Sequence, residues 1–217
     1  SPQPGLAMPL PRLLAAAGCA AAALGDIALS GGVTKNHLTL WMMGLHACYY
    51  GTAASNPKRG VQALQGASFV GAHVVLAGYF WMVANNPGME PQLLKDHMPL
   101  LPKWMCWPRS FLLHGVPVLM AWADLLTHTA QIRTAHSGGS KDGAPAGQQA
   151  WALLSFFLVV AAYENANPNA AEEQYQVKSM PPARFVAITK AIAGVAAVVS
   201  FFSGLRPRVM AARGRVD

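Results

Sequence analysis

The run Asn36-His-Leu-Thr-Leu-Trp-Met-Met-Gly-Leu-His-Ala-Cys-Tyr-Tyr-Gly51 decides how the chain is read. It is apolar enough to enter a bilayer, yet it carries Thr39, His46 and Tyr50. At ~100° per residue, helical steps of seven and eleven return to within about 20° of the starting azimuth, so the three polar groups share one stripe. In hydrocarbon such a stripe must face protein or a wet cavity, because an unpaired polar group there costs several kcal/mol. The run therefore predicts a membrane helix whose polar side is answered by another helix.

Composition agrees. Of 217 residues, 53% are hydrophobic and 12% charged, with 16 Lys and Arg against nine Asp and Glu, and the mean hydropathy is +0.28. A soluble domain carries about 25% charged residues. Half that share, with apolar runs of about twenty, predicts an all-α integral membrane protein, a single membrane domain over 1–217. Six spans can be drawn, at 10–29, 38–55, 62–84, 111–131, 148–163 and 185–205, forming a six-helix bundle with both termini on one side. Residues 137–147, rich in Gly, Ser and Pro, predict a flexible loop, and 206–217 a basic tail that could meet anionic lipid or a partner subunit. The positive charge sits in loops and tails and follows membrane topology, so nucleic acid is not the expected partner. Counting Arg12, Lys58, Arg59, Arg133, Lys141, Arg206, Arg208, Arg213 and Arg215 on the terminal side against Lys35, Lys95, Lys103, Arg109, Lys178 and Arg184 on the other places both termini in the cytoplasm or organelle matrix. Cys19, Cys48 and Cys106 form no CxxC pair and predict no disulfide framework. The chain begins at Ser1, which fits either a processed form or a shortened sequence.

Between the third and fourth spans, 85–109 carries Pro87, Pro91, Pro99, Pro102 and Pro108, which forbid a long helix. Its Leu93, Leu94, Leu100, Leu101, Trp104 and Trp107 are too apolar for a free loop and predict an interfacial lid. The aromatic run Tyr79-Phe80-Trp81 suits a lipid–water boundary.

Inside the spans lie His46, His73, His114, His128, Asp26 and Asp124, and ionisable groups at that depth are functional candidates. His114, Ala121 and His128 recur at seven-residue steps, and Asp124 precedes His128 by one turn, making a second polar stripe. Spans two and four run in the same direction, with Thr39 in the first turn of one and His114 in the first turn of the other. A hydroxyl and an imidazole at one depth are what a nucleophile–base pair requires. The plainer alternative is a threonine that caps its own helix. His46, Tyr50, Asp124 and His128 are then the candidate binding residues, with His46 and Tyr50 reading as packing or as the lining of a substrate channel.

Leu38-Thr39-Leu40-Trp41, Tyr79-Phe80-Trp81, Pro91…Pro99…Trp104 and His114…Pro117…Asp124…His128 together resemble the androgen-induced protein family, which includes the androgen-dependent TFPI-regulating proteins. The likeness covers about 37–133. It implies a multi-pass hydrolase that cleaves lipids in which a fatty acid esterifies a hydroxy fatty acid, with Thr39 as nucleophile, His114 as base and His128 as a further polar residue. Asp124 stands where that family tends to carry glutamate, the proline after His114 is displaced, and the last two spans match nothing in it.

Two other classes compete. One is a catalytically silent accessory subunit of a respiratory, ATP-synthase or photosynthetic complex, the mitochondrial inner membrane being favoured over the endoplasmic reticulum. The other is cofactor binding, as one haem between His73 and His46 or His114, or zinc on His46, His73, His114 and Asp124. No close-spaced ligand motif supports the metal, so the expectation is no cofactor.

Overall fold

The computed structural model describes residues 9–55, 61–85, 87–124 and 145–166, together with 191, 194, 195 and 198. His128, the end of the fourth span, residues 137–144, the sixth span apart from those four positions, and the basic tail lie outside the described residues. Among the described residues the fold is all-helical, with no strand.

Helix α1 spans Pro9–Leu29 and α2 Leu38–Ser55, joined through a 3-10 turn at Val33–Asn36. The turn needs two left-handed residues, Gly31 at φ 61° and Gly32 at φ 90°, a backbone that glycine adopts without a Cβ penalty. Gly32 N–H closes onto the Ile27 carbonyl at 2.7 Å, and the Thr34 hydroxyl reaches Ser30 Oγ at 2.8 Å. This tight hairpin fixes where Thr39, the second residue of α2, is presented. The small residues of α1 make a close approach to α2: Cys19 and Ala23 pack with Leu40 and Met43, and Ala15 and Ala16 lie against Tyr49, Tyr50 and Ala53.

Helix α3, Val61–Asn85, lies on the other side of α2. At Gly71 a Cβ would come within 2.8 Å of Met42 Sδ, so the glycine permits the approach that buries Met42 with Val70, Val74 and Phe156. Phe156 belongs to α6, Pro145–Ala166, which begins earlier than hydropathy indicated because Pro145 suits a first helical turn. Residues 145–147 are thus helix rather than flexible loop.

The proline-rich segment forms no long helix, as its prolines dictate. It holds α4, Met89–His97, and a 3-10 turn at Lys103–Met105. Leu94, Met98 and Cys106 close a small core beneath it, while Leu100, Trp104 and Trp107 point outward at 85%, 70% and 60% exposure. Helix α5 starts at Cys106–Ser110, widens into a π turn over Phe111–Gly115 and continues helical over 116–124. His114 therefore sits in the third turn of its helix, not the first: the arginine and serine ahead of the apolar run are helical too.

Among the described residues, two helices, at Leu10–Leu29 and Leu64–Ala84, are long and apolar enough to cross a membrane.

Candidate functional site

Two buried polar centres lie at opposite ends of this bundle. Near the α1–α2 turn, Arg109 grips both oxygens of Asp26, Nε to Oδ1 at 2.5 Å and Nη2 to Oδ2 at 3.0 Å. Its remaining Nη1 reaches Glu90 of α4 at 3.0 Å. All three side chains are buried. Burial raises the Glu90 carboxyl above its ordinary range, and Arg109 and Ser110 act against that shift. His37, just before α2, is driven down to about 4, first by burial and next by the Arg109 charge.

The candidate site stands beside that cluster. Thr39 Oγ1 lies 3.2 Å from His114 Nε2, and His114 Nδ1 lies 2.9 Å from the Ser110 carbonyl oxygen. The carbonyl can only accept, so Nδ1 carries the proton and donates. The neutral ring then has its lone pair at Nε2, and the Thr39 hydroxyl donates into it. The ring is held from its face as well: Tyr79 of α3 stacks on His114 with centroids 4.0 Å apart and planes 20° apart. Tyr79 thus leaves the aromatic boundary run and turns inward at 4% exposure, while its neighbour Phe80 is 62% exposed. The hydroxyls of Tyr79 and Ser110 are both buried, and that of Ser110 acts on both Tyr79 and Glu90.

At the other end, Asp124 takes Arg12 through Nε and Nη2, both at 2.9 Å, on its Oδ1, and Tyr49 donates to its Oδ2. Gln65 stands at 3.5 Å from the same oxygen. Asp124 is therefore committed to α1, α2 and α3 and to no histidine among the described residues. Arg12 and Arg109, both counted above as loop charges that set membrane orientation, are instead the buried partners of these two aspartates.

The stripe on α2 accordingly divides. Thr39 faces His114. His46 is fully buried and meets Ser68 Oγ of α3 at 2.5 Å, and Tyr50 packs with Tyr49 and Ala53. Both are core. The cofactor readings lose their ligands in the same way. His73 donates Nδ1–H to the Phe69 carbonyl at 2.8 Å and receives the Trp122 indole N–H on Nε2 at 2.9 Å, so neither nitrogen is left to bind haem iron. Both nitrogens of His114 are engaged as well. Among the described residues no three His, Cys, Asp or Glu side chains converge on one point where a metal would sit.

Sequence reasoning passed over Arg109, Glu90, Tyr79 and Ser110. The signal for the first was present: Asp26 in a span demands a cation, and Arg109 is one of the basic residues drawn on that side of the membrane. Tyr79 and Ser110 left no signal, since the π turn that carries His114 between them has no sequence signature.

No family model matches this chain, and no curated protein or solved structure is significantly similar to it.

Proposed function

We propose that the protein is an intramembrane lipid-ester hydrolase in which Thr39 is the nucleophile and His114 the base. The reading rests on one observation: His114 donates Nδ1–H to a backbone carbonyl and offers Nε2 to the Thr39 hydroxyl. That is the triad logic, with the Ser110 carbonyl in the orienting role that a carboxylate fills elsewhere. The π turn supports it, because such turns gather at functional sites and here one carries the base itself.

The chemistry follows from that tautomer. Thr39 Oγ bonds to the ester carbonyl carbon as its proton passes to His114 Nε2, and the carbonyl electrons move onto oxygen. Collapse of the tetrahedral species re-forms the carbonyl and breaks the ester C–O bond, and the departing alkoxide takes the proton from Nε2. Water repeats the sequence on the acyl-threonine, returning Thr39 and a fatty acid. The substrate class, a lipid ester, is the one implied by the resemblance stated above. Membrane residence is supported by the two long apolar helices and by outward apolar residues such as Leu14 and Leu24 on α1 and Leu158 on α6, exposed by 64%, 66% and 62%.

The test is turnover of a fatty acid ester of a hydroxy fatty acid by purified protein in lipid nanodiscs. Hydrolysis that disappears in both Thr39→Ala and His114→Ala supports the proposal. No turnover, with the protein recovered only inside a large complex on native gels, favours the accessory-subunit reading instead.

A further inference from the structure

Three buried charges beside the dyad have no place in the steps above. Asp26, Glu90 and Arg109 are only 6%, 5% and 7% exposed. Compared with apolar side chains of the same size, buried ions return little stability, because desolvation offsets most of their attraction. Their use is to be sought in the geometry that they impose. A planar guanidinium held at both Asp26 oxygens and at Glu90 is fixed in plane and in register. On one side it reaches the nucleophile. Asp26 stands on the last turn of α1, and its backbone carbonyl accepts the Thr34 hydroxyl at 3.3 Å. The Thr34 carbonyl accepts His37 N–H at 2.8 Å, and the His37 carbonyl accepts Leu40 N–H at 3.0 Å, in the first turn of α2 that carries Thr39. On the other side it reaches the base. Arg109 directly precedes Ser110, whose carbonyl takes the His114 Nδ1–H at 2.9 Å.

We propose that the Asp26–Arg109 pair is the positioning element of the dyad, holding the turn that presents Thr39 against the turn that aims His114. The reading rests on the proposed hydrolase and names what keeps its two halves in register. Thr39 and His114 come from different helices, α2 and α5, and the 3.2 Å contact between them is a single neutral hydrogen bond. Such a bond is too weak to fix two helices. The bidentate ion pair is stiffer, and Glu90 braces its guanidinium from α4. Proton transfer from Thr39 to Nε2 needs that fixed separation, and a shift of about 1 Å caused by a change away from the chemistry costs about 10²-fold in rate. The Arg12–Asp124 pair is as deeply buried, at 8% for each residue, but it stands at the other end of the bundle and next to neither member of the dyad.

That second pair supplies the control. Arg109→Lys keeps the charge and loses the fork, and Asp26→Asn keeps the shape and loses the charge. Arg12→Lys makes the first change in the other pair. Ester hydrolysis in nanodiscs, expressed per folded molecule, is read together with the ¹⁵N spectrum of histidine-labelled protein, which reports the nitrogen of His114 that carries the proton. Arg109→Lys and Asp26→Asn should lower kcat about 10²-fold with KM unchanged, and His114 should no longer hold its proton on Nδ1 alone. Arg12→Lys should keep the wild-type kcat and tautomer even where its unfolding temperature falls. Unchanged kcat in Arg109→Lys and Asp26→Asn, while Thr39→Ala is inactive, overturns the positioning role and leaves the hydrolase standing. An equal fall in Arg12→Lys assigns the effect to general stability and also overturns it. Where an ionic variant fails to fold, Thr34→Val takes its place, since it leaves the ion pair and removes the hydroxyl that ties Asp26 to the turn. A fall in kcat of about tenfold is then expected, and an unchanged kcat overturns the proposal. Absence of Thr39-dependent turnover in the wild type overturns the hydrolase and this inference together.

Discussion

The two buried polar centres use similar residues and do different work. At one end Asp124 is saturated by Arg12 and Tyr49, and the cluster joins α1, α2 and α5 as a staple. At the other, Arg109 serves Asp26 and Glu90 at once, and beside it stands an imidazole with a directed lone pair. A group whose hydrogen bonds are complete holds helices together. One with capacity left over is available for chemistry. The difference lies not in the amount of charge that is buried. Nor does it lie in unpaired hydroxyls, since that of Tyr50 near Asp124 is buried with no partner among the described residues. It lies in the nucleophile–base geometry that stands beside one cluster only.

The contrast can be broken most sharply at the reactive end. Thr39→Ala and His114→Ala should each lower kcat by about 10³-fold or more, while substitutions in the Asp124 cluster should act on stability. A stopped assay of ester cleavage on folded variants checks this. Next in size is Arg109→Met, which leaves Asp26 and Glu90 buried without their cation. A loss of about 3–5 kcal/mol is expected, read from chemical unfolding in detergent or nanodiscs. Arg12→Met should cost less, about 2 kcal/mol, because Asp124 keeps the Tyr49 donor. Equal losses from the two arginine variants would show that the centres do not differ as described.

A smaller effect should appear with pH. His37 folds with its pKa lowered to about 4 from 6.5. Between those values the unfolded chain binds a proton that the folded one does not, so stability rises with pH. The His37 contribution is whole above about 6.5 and is lost as pH falls toward 4. Glu90, raised by burial, works the other way: folding favours its proton, so its contribution fades as pH climbs above its ordinary 4.5. His37→Gln should therefore flatten the acid limb of the stability profile, and Glu90→Gln the limb above it. The smallest expected change comes from Trp104→Ala at the exposed rim, within about 0.5 kcal/mol of wild type.

How far the sequence carried the reading depends on range. The first three apolar spans, drawn at 10–29, 38–55 and 62–84, match α1 to α3 to within a residue at each end, because helix length and apolar run are set locally. The Thr39–His114 contact was expected as well, although its premise, both residues in a first turn, holds for Thr39 alone because the helix of His114 begins at Cys106. The ion pairs were not. The sequence pairs Asp124 with His128, which lies outside the described residues, and does not announce Arg12 of α1, 112 positions away. Nothing local announces such a partner; only the rule that a buried charge needs one could have directed attention to Arg12 and Arg109. The same holds for Tyr79, which shares an aromatic run with the outward Phe80 and turns in because its own azimuth on α3 meets the π turn of α5.

The central claim is that Thr39 is activated by His114, and covalent capture tests it directly. Wild-type protein treated with a fluorophosphonate probe and analysed by peptide mass spectrometry should carry the adduct on Thr39, with His114→Ala unlabelled. An adduct on another residue, or labelling that persists in Thr39→Ala, would contradict it.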